Sequence, residues 1–217
     1  GQIKVPMVMR TPAGWTQLSA THSQTLELLF AYIPGLKVVM PSTPYDHKGL
    51  LKSAIRDDDP VIFIEHALIY KEKGEVPDGE YLVPIGKSVL RRPGKHVTVV
   101  SYSRMAIESM KAADLLAKEG IEVEIIDLRS LRPLDLEPVL ESVKRTNRVV
   151  IAEEGWRTYG IGAEIAASIQ EHAFDHLDAP VKRVAGKEIP APYNRALELA
   201  CYPDFKDVVA AVRDVLA

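Results

Sequence analysis

Six histidines are the first candidates for proton transfer, because imidazole is the side chain that ordinarily changes charge near neutral pH. His22 stands out among them. It lies in Thr21-His22-Ser23-Gln24, at the predicted start of a helix over residues 22–33. A predicted strand over 5–9 and the polar loop Arg10-Thr11-Pro12-Ala13-Gly14-Trp15 precede it. The positive end of a helix dipole there would favour the neutral imidazole and leave it ready to exchange a proton. From spacing alone, a capping loop in which His22 only bonds backbone is the plainer reading. Of the others, His47 reads as a surface residue beside Lys48, His66 ends a strand beside Glu65 and could furnish a site, and His96 precedes a strand. His172 and His176 are four apart at a helix end. No third ligand stands at suitable spacing, so two exposed histidines is the plainer reading.

Carboxylates and glycines offer two further constellations. Ala54-Ile55-Arg56-Asp57-Asp58-Asp59-Pro60 places a helix C-terminus before three acids. Free helix carbonyls with acids suit a hard cation, but a solvated acidic loop is the plainer reading of the residues alone. Gly160-Ile161-Gly162 follows a predicted strand and opens a helix, but Ile165 stands where a dinucleotide fingerprint needs its third glycine. Glycines that allow close packing of helix on sheet account for it equally well. Cys201 is the one cysteine, so no disulfide within the chain can form, in keeping with a reducing compartment. It has no C-x-x-C partner.

The elements that must position these residues alternate between strand-like and helix-like blocks. After the first strand and helix come a strand at 37–40, a helix at 44–56 with Leu50, Leu51, Ala54 and Ile55 on one side, and an unbroken apolar strand at 61–64 with both faces buried. A second series has strands at 97–102, 121–128, 148–152 and 181–184, and helices at 103–119, 135–146, 160–174 and 204–216. Such alternation implies α/β architecture with parallel sheets. Residues 1–70 form the C-terminal half of one domain. Residues 71–95, rich in Gly, Pro and charge, form a linker with room for one short strand, and 96–217 form a complete second domain. The opening at Gly1 rather than Met suggests that the missing part of the first domain lies upstream or in another chain. With a net charge of -3 the chain lacks the basic excess of a nucleic-acid binder, and no apolar run approaches the roughly 18 residues of a membrane span.

Several motifs together resemble the beta subunits of 2-oxo acid dehydrogenases. They are Thr21-His22-Ser23-Gln24; Ile33-Pro34-Gly35-Leu36-Lys37-Val38-Val39-Met40-Pro41-Ser42; Lys52-Ser53-Ala54-Ile55-Arg56-Asp57; Glu153-Glu154-Gly155-Trp156 with Gly160-Ile161-Gly162-Ala163-Glu164-Ile165; and Ile189-Pro190-Ala191-Pro192-Tyr193. The resemblance covers the whole chain in order. Glu65-His66 through Tyr70 and Val76-Pro77-Asp78-Gly79-Glu80-Tyr81 look more like pyruvate enzymes than branched-chain ones.

The resemblance implies a partial transketolase-like pyrimidine-binding domain for thiamine diphosphate, followed by a transketolase-type C-terminal domain. It implies an alpha2-beta2 assembly whose alpha subunit supplies the diphosphate and Mg2+ site. The implied chemistry is decarboxylation of pyruvate and reductive acetylation of a lipoyl domain on a dihydrolipoyl acyltransferase core. His22 matches the family's active-site histidine. Met7, Ala54, Ile55, Asp57 and Asp59 match positions that hold a potassium ion, through carbonyls and the Asp57 carboxylate. The glutamate that contacts the aminopyrimidine falls upstream of Gly1, so the isolated 217-residue chain is expected to be inactive. The compartment expected is bacterial cytoplasm, or otherwise the mitochondrial matrix or plastid stroma. Alternatives are a branched-chain, acetoin or transketolase-type substrate, a docking fragment using residues 204–217, and a nucleotide-binding domain.

Overall fold

The computed structural model describes residues 3–14 and 20–217. Trp15 of the predicted polar loop lies outside them. Two sheets are present. The first holds β1 (Val8–Ala13), β2 (Lys37–Val39) and β3 (Val61–His66) in parallel, in the order β1-β3-β2. The second holds β4 (Val89–Arg92), β5 (Val97–Ser101), β6 (Val123–Asp127), β8 (Val149–Trp156) and β9 (Lys182–Gly186), in the order β4-β6-β5-β8-β9. All its pairings are parallel except that of β4, which comes from the expected linker and runs antiparallel along β6. The α/β class and the parallel cores follow from the apolar runs. Every residue of β3, β5 and β6 is buried, as strands covered on both faces must be.

The helices are α1 (Glu27–Ala31), α2 (Pro44–Ile55), α3 (Ser103–Ala117), α4 (Glu137–Thr146), α5 (Ile161–Ala173), α6 (Arg195–Cys201) and α7 (Phe205–Leu216). Three apolar layers result. Leu50 and Ala54 of α2 pack with Val39, Val61 and Phe63 on one face of the first sheet. Met105 and Leu116 of α3 and Val208 and Val212 of α7 pack on one face of the second. Between the sheets a shared layer joins Val38, Met40, Ile62 and Ile64 to Val100, Ile126 and Ile151 through α4 and α5.

Several expectations change. The first strand begins at Val8 rather than Val5, because Pro6 has no N–H to give and the Val5 N–H goes to Asp58 O. Arg10–Ala13, expected as loop, are its second half. The helix expected over 22–33 is only Glu27–Ala31, since the Thr25 hydroxyl is drawn to Glu154 instead of capping a longer helix. On α2, Ile55 points to solvent at 63 % exposure, away from Leu50 and Ala54. Three short elements were not expected from the sequence: a 3-10 helix at Ala67–Lys71, α6, capped by Asn194, and β7 (Ser130–Arg132). β7 matters most. It leaves the second series of elements and runs antiparallel along β2, making the first sheet four-stranded.

The linker region also packs. Tyr81 stacks on Tyr45 with ring centroids 4.5 Å apart, and Ser53 Oγ donates to Val83 O at 2.6 Å. Asp46 of α2, fully buried, holds Arg129 at 3.0 Å and also Arg91, whose guanidinium reaches Asp127 at 2.9 Å. These ties make the two sheets one body. Phe63 fills the outer layer of the first sheet without any exposed surface, so Phe63→Ala is expected to cost about 3–5 kcal/mol in urea unfolding, with loss of cooperativity if the two sheets separate.

Candidate active site

The carboxyl ends of the parallel strands β1 and β3 meet the start of α1, which is where open α/β sheets place ligands. Gly14 follows β1 with φ +87°, and a Cβ there would come within 2.0 Å of His66 Nε2, so only glycine allows this approach. His66 ends β3. Its Nδ1 accepts the Leu68 N–H at 3.2 Å, which leaves Nε2 as the donor to Glu154, at 2.8 Å from Oε1 and 2.9 Å from Oε2.

Glu154 lies on β8, in the other sheet. It also accepts Arg104 Nε of α3 and the Thr25 hydroxyl at 3.0 Å. Arg104 in turn donates to Pro203 O at 2.6 Å. Burial works to raise the Glu154 carboxyl, but the hydrogen bonds from His66 and Arg104 and the Arg104 charge hold it down to about 2. Two more acids flank it. Glu153 takes Arg183 at 2.6 Å and the Gly162 N–H at 2.8 Å; burial still leaves it above the ordinary carboxylate range. Glu27, in the first turn of α1, accepts the Tyr102 hydroxyl at 2.6 Å on Oε1, while Oε2 has no hydrogen-bond partner among the described residues. Burial pushes Glu27 up to about 8, with Glu153 and Glu154 adding to the shift and the Tyr102 bond opposing it.

His22 stands on the solvent side of this cluster. It is exposed, in the turn formed by residues 20–23, five residues before α1. It therefore does not sit at a helix N-terminus, and the dipole argument for its charge fails. The turn is pinned from within: Tyr202 OH donates to Ser23 O at 2.7 Å, and Ser23 and Thr25 are buried while His22 is not. His66, one of several site candidates by sequence, is the most buried histidine. His47 is half-buried rather than at the surface, bonding Thr43 O through Nδ1 and set edge-on against Phe63. His96 accepts the Glu122 N–H at 2.8 Å, and His172 and His176 are both exposed.

The acidic run after α2 is neither an open cation site nor a bare solvated loop. Lys37 Nζ bonds both oxygens of Asp57 at 2.7 and 2.8 Å and reaches Asp59 at 3.1 Å, while Lys4 pairs with Asp58. The carboxylates already hold ammonium groups. Of the expected carbonyl donors, Met7 O accepts the Val61 N–H and Ala54 O accepts the Asp57 N–H. Of the potassium ligands expected at Met7, Ala54, Ile55, Asp57 and Asp59, the Asp57 carboxylate carries Lys37 Nζ in this structure. Among the described residues, no group of three or more His, Cys, Asp or Glu side chains is placed to hold a metal. The glycines of Gly160-Ile161-Gly162 serve the protein's own anion: a Cβ on either would strike Glu153, within 2.8 Å at Gly160 and 2.5 Å at Gly162.

The model of the transketolase pyrimidine-binding domain matches residues 1–72, and that of the transketolase C-terminal domain matches 86–208. The chain belongs to the transketolase family. Among curated relatives, the pyruvate dehydrogenase E1 component subunit beta of Porphyra purpurea is 49% identical over 217 residues, 100% of this chain and 66% of that protein. The mitochondrial counterpart from Dictyostelium discoideum is 48% identical over 99% of this chain and 62% of its own length. That of Rickettsia conorii is 44% identical over 99% and 66%. The chain thus spans about two thirds of these relatives or slightly less. A solved split-gene transketolase, described as an inactive beta4 tetramer, superposes with a TM-score of 0.80 at 28% identity, over 98% of this chain and 67% of that one. Among the described residues no helix is long and apolar enough to cross a membrane.

The cluster predicts a pH dependence. The raised Glu27 binds its proton more tightly folded than unfolded, so its contribution to stability is complete below the unfolded value of 4.5 and lost as pH rises through about 8. Glu154 has the opposite sign: its contribution is present above 4.5 and lost as pH falls toward about 2. Urea unfolding between pH 5 and 8 should show stability declining with pH, and Glu27→Gln should flatten that decline. An unchanged slope would show that Glu27 is ionised throughout.

Proposed function

We propose that this chain is the larger part of the beta subunit of a thiamine-diphosphate-dependent pyruvate dehydrogenase. In this reading it pairs with an alpha subunit in an alpha2-beta2 assembly, and the whole decarboxylates pyruvate and reductively acetylates a lipoyl group carried by the acyltransferase core. The observation that carries the reading is the exposed His22 turn at the carboxyl ends of β1 and β3, in a chain 44–49% identical to pyruvate dehydrogenase beta subunits along its length.

The cofactor supplies the decarboxylation chemistry when bound. The chain's own contribution is narrower. His22 presents an imidazole to solvent from a turn whose neighbours are buried. A partner surface laid over that turn would enclose the imidazole without closing the site. There it can exchange a proton during acetyl transfer. The residues that grip the aminopyrimidine are expected outside this chain, and the diphosphate with its Mg2+ on the alpha subunit. The compartment follows the host: bacterial cytoplasm, mitochondrial matrix or plastid stroma.

Two outcomes test this. The full-length beta subunit assembled with its alpha subunit should turn over pyruvate faster than 2-oxoisovalerate when both are compared by lipoyl acylation; the reverse preference would move the assignment to a branched-chain enzyme. In that assembly His22→Ala should lower acetyl transfer roughly 10²–10⁴-fold without shifting the melting temperature, because the side chain is exposed.

A further inference from the structure

The hydroxyl of Thr25 has a partner in the other domain. It donates to Glu154 Oε1 at 3.0 Å, three residues after His22, and Tyr202 OH grips Ser23 O one residue after His22. Both grips come from the C-terminal domain, and both fall on buried residues that follow the exposed His22. Glu154 is itself fixed by His66 and Arg104, with side-chain exposures of 1% and 7%. Its carboxylate has little freedom to follow Thr25, so Thr25 must follow it.

We propose that Glu154 is a positioning residue for His22, holding the turn of residues 20–23 in register through Thr25. This rests on the reading of His22 as the proton-exchanging group. The physical case is one of leverage. An exposed imidazole on a turn has several rotamers and a mobile backbone, and proton transfer needs it within about 3 Å of its target. Fixing Ser23 and Thr25 restricts the backbone that carries His22 from its C-terminal side. A displacement of about 1 Å in such a group can cost as much as 10²-fold in rate. The arrangement also explains why the two acids of Glu153-Glu154 are not equivalent. Glu153 accepts the Gly162 N–H at the start of α5 and Arg183 of β9, whereas Glu154 faces the first domain.

The test uses the full-length beta subunit assembled with its alpha subunit and compares two readouts. One is acetyl transfer to a lipoyl domain. The other is pyruvate decarboxylation coupled to a dye acceptor, which bypasses the lipoyl group. Thr25→Val keeps the shape of the side chain and leaves the Glu154 pairs with His66 and Arg104 untouched. It should slow acetyl transfer roughly 10- to 100-fold, keep dye-coupled turnover within about twofold, and be rescued by Thr25→Ser. Glu154→Gln should move the same readout in the same direction if it folds. A folded Thr25→Val with full acetyl transfer, beside an impaired His22→Ala, overturns the positioning role alone. So does an equal loss in both readouts, which marks a merely structural contact. Full acetyl transfer by His22→Ala overturns the reading of His22 itself, and the positioning proposal with it.

Discussion

A carboxylate removed from water is tolerated only when its lone pairs are filled by donors that were themselves worth burying. Glu154 satisfies that condition from three directions: a guanidinium on α3, an imidazole at the end of β3 and a hydroxyl ahead of α1. Two of those donors belong to the first domain and one to the second. Removing any one leaves the others facing an incompletely matched charge, which is the arrangement with the steepest penalty for separation. The rest of the junction can be read outward from this point. Gly14 must be glycine because the His66 ring occupies the space of its side chain, and His66 must sit there because Glu154 needs its Nε2–H.

A second polar tie lies at the other side of the same junction. Asp46, on α2, is fully buried and takes Arg129 and Arg91, and Arg129 also donates to the carbonyls of Lys87 and Ser88 in the connecting segment. Between the two ties the sheets share an apolar layer, and β7 crosses to complete the first sheet. A parallel sheet that ends in three strands is thin; borrowing β7 buries one edge of β2 and removes an open row of backbone groups. The other edge, β1, shows Met9 to solvent, with Met7 exposed just before it. The site proposed for catalysis sits at the seam and not within either sheet, and that explains why its side chains are gathered from residues 14 to 202.

Much of the fold was legible in the chain. The apolar run at 61–64 has no polar alternation, so it had to be a strand with both faces covered, and it is. Thr43 before Pro44 and Asp204 before Phe205 cap their helices as the residue types demand, the latter with a full capping box. The failures share a cause. The helix expected from His22 was shortened because a hydroxyl that could have capped it found a carboxylate 129 residues away. The acidic run after α2 read as a solvated loop because Lys37, twenty residues earlier in sequence, was not visible as its neighbour. β7 is three residues long and carries no pattern of its own; only the unpaired edge of β2 makes it a strand.

By itself the sequence determined the alternation of strands and helices, the parallel cores, and His22 as the residue to watch. These depend on local periodicity, on residue type and on motif order, all of which survive translation from one dimension to three. Only the tertiary structure decided which charges meet. It turned His66 from a possible site residue into a buried support. It gave Lys37 the place expected of a cation, and it set Glu154 rather than Glu153 against the His22 turn. The reason is physical: a buried ion's behaviour is set by the groups within a few ångströms of it, and in a folded chain those groups come from anywhere along its length.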